Sequence, residues 1–270
     1  MIQELKNHKY DLYFKNIKPK DDDIVLCYKR GLVLLNQDKS LVKYKDINYK
    51  KVIFGFMIDD VNYFILLENI EKCEFPINLF REYKPSYLGF AIINGYHLYN
   101  FYMNNIYCGK CGSLLYPSDK IRSLKCDCGN EIFPRIAPAV IIGLLNKNHD
   151  KIMLTKYING KNYALVAGYN EIGETLEDTV RREVKEEVGL TVNNIKYYKS
   201  QPWGLSCSVL SGFWADISDI NDNPTIEEDE LNMAKWMKKE EIDIDDDGIS
   251  LTREMIDYFK NGGDIKLWWD

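Results

Sequence analysis

The chain has 270 residues, more than one domain usually needs, and its 46% hydrophobic content supplies ample core. A formal net charge of -6 argues against a broad, sequence-independent grip on nucleic acid, because such binding neutralises phosphates with Lys and Arg. The longest apolar run, Ala139 to Leu145, is too short to span a bilayer, and the charged stretch MIQELKNHKYDLYF at the start has no apolar signal core. The expectation is a soluble cytoplasmic protein with no membrane partner.

Residues 1 to about 85 alternate short strand-like runs, Ile24 to Tyr28, Val52 to Phe56 and Tyr63 to Leu67, with polar turns, which reads as a β-rich domain. Nothing in it connects to chemistry, and packing or dimerisation is its expected role. Ala91, Ile92, Tyr96 and Tyr99 at helical spacing predict a helix over Gly89 to Met103, with His97 packing or capping. This first domain is taken to end at residue 105.

Residues 106–132 hold Cys108-Gly109-Lys110-Cys111-Gly112 and, with fourteen residues between Cys111 and Cys126, Cys126-Asp127-Cys128-Gly129. Four of the seven cysteines clustered in this way fit a metal site in a reducing compartment better than a disulfide framework. Four sulfurs from two turns suit tetrahedral Zn²⁺, and a site with four protein ligands has no open position, so zinc at Cys108, Cys111, Cys126 and Cys128 should staple the fold. The second pair is C-x-C where zinc ribbons normally have C-x-x-C, and the alternative is a knuckle without metal. Cys27, Cys73 and Cys207 read as structural thiols.

From 133 to 270 the pattern changes to strands alternating with helices. Ala139 to Leu145 is a buried strand by its length and β-branching. Lys151 to Lys156 and Tyr163 to Ala167 continue the sheet, and Val192 to Ser200, Ser206 to Ile217 and Asn232 to Met237 follow, then an acidic loop through Asp247 and a helix near Ser250 to Lys260. Helices around a mixed sheet make the class α/β.

Between these strands lies GYNEIGETLEDTVRREVKEEVGL, Gly168 to Leu190. Leu176, Val180, Val184 and Val188 recur every four residues as an apolar stripe, and Gly189 stands where a helix C′ glycine belongs. Glu183, Glu186 and Glu187 fall at i, i+3 and i+4, which puts three carboxylates on one face and destabilises the helix unless something positive sits among them. A divalent cation is the simplest candidate. A lone E-x-x-E-E is usually a solvated acidic face. Here it comes with Gly168, five positions, Glu174, seven positions, and then Arg182 to Leu190.

That arrangement resembles the Nudix box, with every fixed position filled, and the resemblance implies an α/β/α sandwich. Ser200-Gln201-Pro202-Trp203, ten residues past the box, together with the cysteine ribbon before the domain, is similar to the NADH pyrophosphatase branch of Nudix hydrolases. After Trp203 this chain has Gly204-Leu205-Ser206-Cys207-Ser208 where the family usually has Pro-Phe-Pro, although Ser208 matches the serine closing the array. The resemblance implies metal ligands at Glu183, Glu186, Glu187 and Glu230 and at the Ala167 carbonyl. It further implies base-stacking rings at Phe133 and Tyr169 and substrate contacts at Gln201, Pro202, Trp203, Ser208 and Thr252. Tyr169 replaces the common Phe and Thr252 a small alanine.

A diphosphate is shielded by its own charge, so water attacks it slowly unless Mg²⁺ or Mn²⁺ neutralises its oxygens and lowers the pKa of a bound water. Glu187 is the first choice for the base and Glu186 the second, while Arg182 and Glu174 are expected to pair and hold the loop. The resemblance therefore implies hydrolysis of NAD(H) to AMP and nicotinamide mononucleotide, or removal of an NAD cap from an RNA 5′ end, by a homodimer. The alternatives are another nucleoside diphosphate derivative, such as ADP-ribose or a dinucleoside polyphosphate, and a silent nucleotide-sensing protein.

Overall fold

Runs of β-branched and aromatic residues broken by polar turns shape the first half of the chain, as their alternation dictates. The computed structural model describes residues 1–158, 160, 162–218, 222–226, 229 and 231–263. They fall into two compact units, one of residues 2–136 with 204–207, the other of Met1, 137–203 and the chain from 208 onward.

In the N-terminal unit, β1 (Tyr10–Asp11), β2 (Ile24–Leu26), β5 (Val52–Ile58) and β6 (Val61–Leu66) form one sheet in the order β1-β5-β6-β2. A second, smaller sheet joins β3 (Tyr28–Lys29), β4 (Leu32–Val33) and β7 (Phe75–Pro76) in the order β3-β4-β7. Helix α1 (Ser86–Asn104) buries Phe90, Ala91, Ile92 and Ile93, and the Tyr28 hydroxyl donates to the Ile92 carbonyl at 2.6 Å. His97 Nε2 donates to the Arg135 carbonyl at 2.9 Å. Strands β8 (Tyr116–Pro117), β9 (Leu124–Lys125) and β10 (Glu131–Ile132) make the small sheet of the cysteine segment. Burial pushes the Cys27 thiol up to about 12 and Cys73 up to about 11, as inert core thiols behave.

The second unit is built on a mixed sheet in the order β14-β15-β11-β12-β16, with β13 also paired to β11. Its strands are β11 (Ala137–Leu145), β12 (Lys151–Tyr157), β13 (Val166–Tyr169), β14 (Val192–Trp203), β15 (Ser208–Ile217) and β16 (Leu231–Lys238). β11 runs parallel to β15; the other pairs are antiparallel. Alternation along β11 turns Val140, Ile142 and Leu144 to one face, under Val180, Val184 and Val188 of α2 (Leu176–Val188). Ile141 and Leu145 turn to the other, under Leu251, Met255, Ile256 and Phe259 of α3 (Leu251–Lys260). This is the α/β/α sandwich, and each fully buried Val or Leu contributes roughly 1.5–3 kcal/mol to it.

Several strand limits differ from the sequence reading. β14 runs on past Ser200 because Gln201, Pro202 and Trp203 pair with Leu210, Val209 and Ser208, and the turn at Gly204–Cys207 delays β15 to Ser208. Ahead of α2, the expected early strand pairs with β12 through one bridge, Ala164 to Thr155, and the strand proper starts at Val166, paired with β11. Among the described residues no helix is long and apolar enough to cross a membrane.

Candidate active site

Helix α2 begins at a capping box that the sequence reading passed over. Thr175 Oγ1 accepts from the Asp178 amide at 3.1 Å, and the Asp178 side chain returns the contact to Thr175. Such a cap contributes about 1 kcal/mol. At the other end Gly189 takes the left-handed conformation, φ 72°, that a side chain would resist, and its N–H reaches the Lys185 carbonyl.

Arg182 ties the loop before the helix to the helix itself. Its Nε and Nη2 donate to the two oxygens of Glu174 at 2.6 and 3.0 Å, and Nη2 also donates to the Tyr169 carbonyl at 2.8 Å. Its Nη1 donates to Glu183 at 2.6 Å and Glu186 at 2.9 Å. The guanidinium, and then the Glu171 amide, hold the Glu174 carboxyl down at about 2, while the carboxylates around Arg182 raise the guanidinium further still. Glu174 thus fastens the loop, and Arg182 supplies positive charge among the clustered carboxylates.

The three glutamates differ in depth. Glu187 is 1% exposed and Glu183 8%, whereas the Glu186 side chain is 52% exposed. With 3.6 residues per turn, Glu186 stands about 100° round the helix from Glu187, enough to move it from the β13 side to the rim. Gly168 makes the inner position possible: a Cβ there would lie 1.9 Å from the Glu183 carboxylate. The Ala167 amide donates to Glu187 Oε1 at 3.4 Å, and the Tyr157 hydroxyl lies 3.3 Å from the same oxygen and 3.5 Å from the Ala167 carbonyl. Tyr157 was absent from the sequence reading.

Cross-strand register places the Gln201-Pro202-Trp203 stretch at the same end of the sheet. Tyr169 pairs with Ala139, Ala139 with Leu210, and Leu210 with Gln201, a transverse row of four strands. At about 4.8 Å per strand that row spans roughly 14 Å. The Gln201 side chain is fully buried and engaged with backbone: Nε2 donates to the Ile249 carbonyl and Oε1 accepts the Leu251 amide, both at 2.7 Å. It therefore braces the start of α3, beside Thr252. Ser208 is buried opposite Trp203, and Pro202 is exposed. Tyr169 is 51% exposed.

Comparison with known proteins identifies the unit that carries this site. Residues 135–259 match the family model described as NUDIX domain. That segment is a NUDIX domain. The chain is 35% identical over 153 residues to the "NAD-capped RNA hydrolase NudC" of Enterobacter sp. (strain 638), covering 56% of this chain and 58% of that protein. The protein of the same name from Escherichia coli O9:H4 (strain HS) is 36% identical over 155 residues, with the same shares. The chain thus matches less than two thirds of the length of these curated relatives. A solved NUDIX hydrolase from Nitrosomonas europaea is similar over 58% of this chain and 91% of its own, at 22% identity and a TM-score of 0.47.

Within the NUDIX domain, Glu230 lies outside the described residues, one position before β16 begins. Phe133 belongs to the N-terminal unit, where it is 58% exposed and lines a cavity of about 450 Å³ with His97, Asn100, Arg135 and Cys207.

Ahead of the NUDIX domain, Cys108, Cys111, Cys126 and Cys128 bring their sulfurs within 4.8 Å of one another, with Cys108 and Cys128 3.8 Å apart and Cys111 and Cys126 3.4 Å apart. Sulfurs bound tetrahedrally at about 2.3 Å from one centre stand about 3.8 Å apart, so the shortened C-x-C pair still reaches metal-ligand geometry. The Lys110 and Cys111 amides hold the Cys108 thiol down at about 6. At Cys126 the Cys128 amide also pulls down, but burial and the three neighbouring sulfurs outweigh it and push that thiol up to about 12. Four thiolates this close need a cation among them.

Proposed function

We propose that the NUDIX domain hydrolyses the pyrophosphate bond of NAD(H), giving AMP and nicotinamide mononucleotide, and that the same chemistry removes an NAD cap from an RNA 5′ end. The observation that carries this reading is the carboxylate edge of α2, where Glu183 is sunk against the β13 backbone at Gly168 and Glu187 against it at Ala167 while Glu186 remains at the rim. The substrate class is supported by the likeness to proteins named NAD-capped RNA hydrolase.

The donor set fits a hard divalent cation, since Glu183, Glu186, Glu187 and the Ala167 carbonyl offer only oxygen, and Gly168 lets Glu183 lie against the strand. Mg²⁺ or Mn²⁺ held there supplies charge neutralisation at the diphosphate oxygens and acidifies an attached water. Glu187 accepts the proton of the attacking water, with Glu186 the second choice. Tyr169 stacks on a base, an interaction worth about 1–3 kcal/mol. Arg182 and Glu174 keep the loop that follows Tyr169 seated on α2. The four cysteines hold structural Zn²⁺, and the N-terminal unit serves assembly into a homodimer.

Separate incubation of NADH, NAD-capped RNA, ADP-ribose and a diadenosine polyphosphate with Mn²⁺, followed by mass analysis, tests the reading. The expected products are AMP with reduced nicotinamide mononucleotide from NADH, and 5′-monophosphate RNA from the capped transcript. Cleavage of ADP-ribose alone, or of none of the four, overturns it.

A further inference from the structure

We propose that Tyr157 is a positioning residue of the glutamate site, its hydroxyl setting the carboxylate of Glu187. This rests on the hydrolase reading above, in which Glu187 is both ligand and base.

Alternation along β12 puts Tyr157 on the face of Met153 and Thr155, and its ring packs against the core beneath α2, where Met153, Val180, Val184 and Val188 are buried. The ring is therefore anchored before its hydroxyl makes any polar contact. At this residue the pairing of β12 with β16 slips: Lys156 faces Met233 but Tyr157 faces Leu231, so Asn232 is the extra residue of a bulge. Bulges re-aim side chains and recur beside active sites. Here the break falls at the residue whose hydroxyl lies 3.3 Å from Glu187 Oε1 and 3.5 Å from the Ala167 carbonyl.

A phenol has one proton to donate, and the carboxylate is the nearer acceptor, so Glu187 takes it. The Ala167 amide converges on the same oxygen at 3.4 Å. These contacts are longer than a mature O–H···O bond, as hydrogen bonds of catalytic groups commonly are before substrate tightens them. Two donors on one oxygen fix the torsion of a carboxylate that is otherwise enclosed and 1% exposed, so cation binding and proton transfer start from one orientation. A ring needed only for packing would serve equally well as phenylalanine, and the hydroxyl is what separates the two roles.

The test is Tyr157→Phe in the full chain. Mn²⁺ affinity is measured by titration calorimetry without substrate, then kcat and KM on NADH, with a thermal melt as control. Loss of a hydrogen bond to a charged group is expected to lower kcat about tenfold and to weaken Mn²⁺ binding severalfold, with the NADH KM and the melt unchanged. A variant with wild-type Mn²⁺ affinity and wild-type kcat overturns the proposal. The substrate reading fails separately: if Mn²⁺ binds the wild type and is lost in Glu187→Gln, yet NADH stays intact, that reading is wrong while the Mn²⁺ affinities of Tyr157→Phe and wild type still decide the role of Tyr157.

Discussion

The cysteine knuckle and the carboxylate edge of α2 both gather ligand atoms, but they differ in donor, depth and charge compensation. The knuckle packs four sulfurs within 4.8 Å; burial and the neighbouring sulfurs push Cys126 up to about 12, while the Lys110 and Cys111 amides hold Cys108 down at about 6, and among the described residues no cationic side chain donates to these sulfurs. The glutamates are graded from 1% exposed at Glu187 to 52% at Glu186, and Arg182 already bridges Glu183 and Glu186. Four soft ligands with no open position suit an ion that the fold closes over, as in a structural site. A cluster whose charge is partly balanced by an arginine can exchange ions and substrate and keep its shape.

The strongest way to break this contrast is Glu187→Gln. The substitution keeps volume and one carbonyl oxygen but cannot take the water's proton, and loss of a general base alone costs about 10²–10⁴-fold in rate. The kcat on NADH at saturating Mn²⁺ should fall by at least that range, with circular dichroism and zinc content unchanged. Zinc lost together with activity would mean that the two clusters are not independent.

A smaller effect sharpens the contrast at the rim. The Arg182 guanidinium and Glu171 amide hold Glu174 near 2, below the roughly 4.3 of an unfolded chain. For a carboxyl depressed in the folded state, the stabilisation is complete above the unfolded value and fades as pH falls towards the folded one. Urea melts from pH 7 down to pH 3 should therefore show wild type losing stability more steeply than Glu174→Gln below about pH 4.3. The kcat loss of Glu174→Gln should be smaller than that of Glu187→Gln. Parallel acid profiles for the two proteins would remove Glu174 from its role in holding the loop.

Much of this frame was readable from residues alone, because α2 announces itself through Val180, Val184, Val188 and the closing Gly189, and the buried strand at Ala139 to Leu145 through its unbroken apolar run. Depth was not readable. Helical spacing shows that Glu183, Glu186 and Glu187 share a side, but only the β13 backbone, at Gly168 for Glu183 and at Ala167 for Glu187, makes two of them inner residues. Gln201 read as a substrate contact, whereas its amide is engaged across fifty positions of sequence by Leu251, a pairing that no local pattern encodes. Tyr157 escaped because the expected strand stopped at Lys156, one residue short of the bulge that brings its hydroxyl to Glu187. Period-two counting from Met153 would have placed it on the α2 face.

The central claim is that oxygen ligands on α2 serve turnover while sulfur ligands in the knuckle serve the fold. Its most direct test is NADH hydrolysis by protein dialysed free of Mg²⁺ and Mn²⁺ without a chelator, with zinc measured on the same sample before and after Mn²⁺ is added. The account predicts zinc bound throughout and AMP formation that starts only with Mn²⁺. Full-rate turnover before any Mn²⁺ is added, or a rate that follows zinc content, would contradict it.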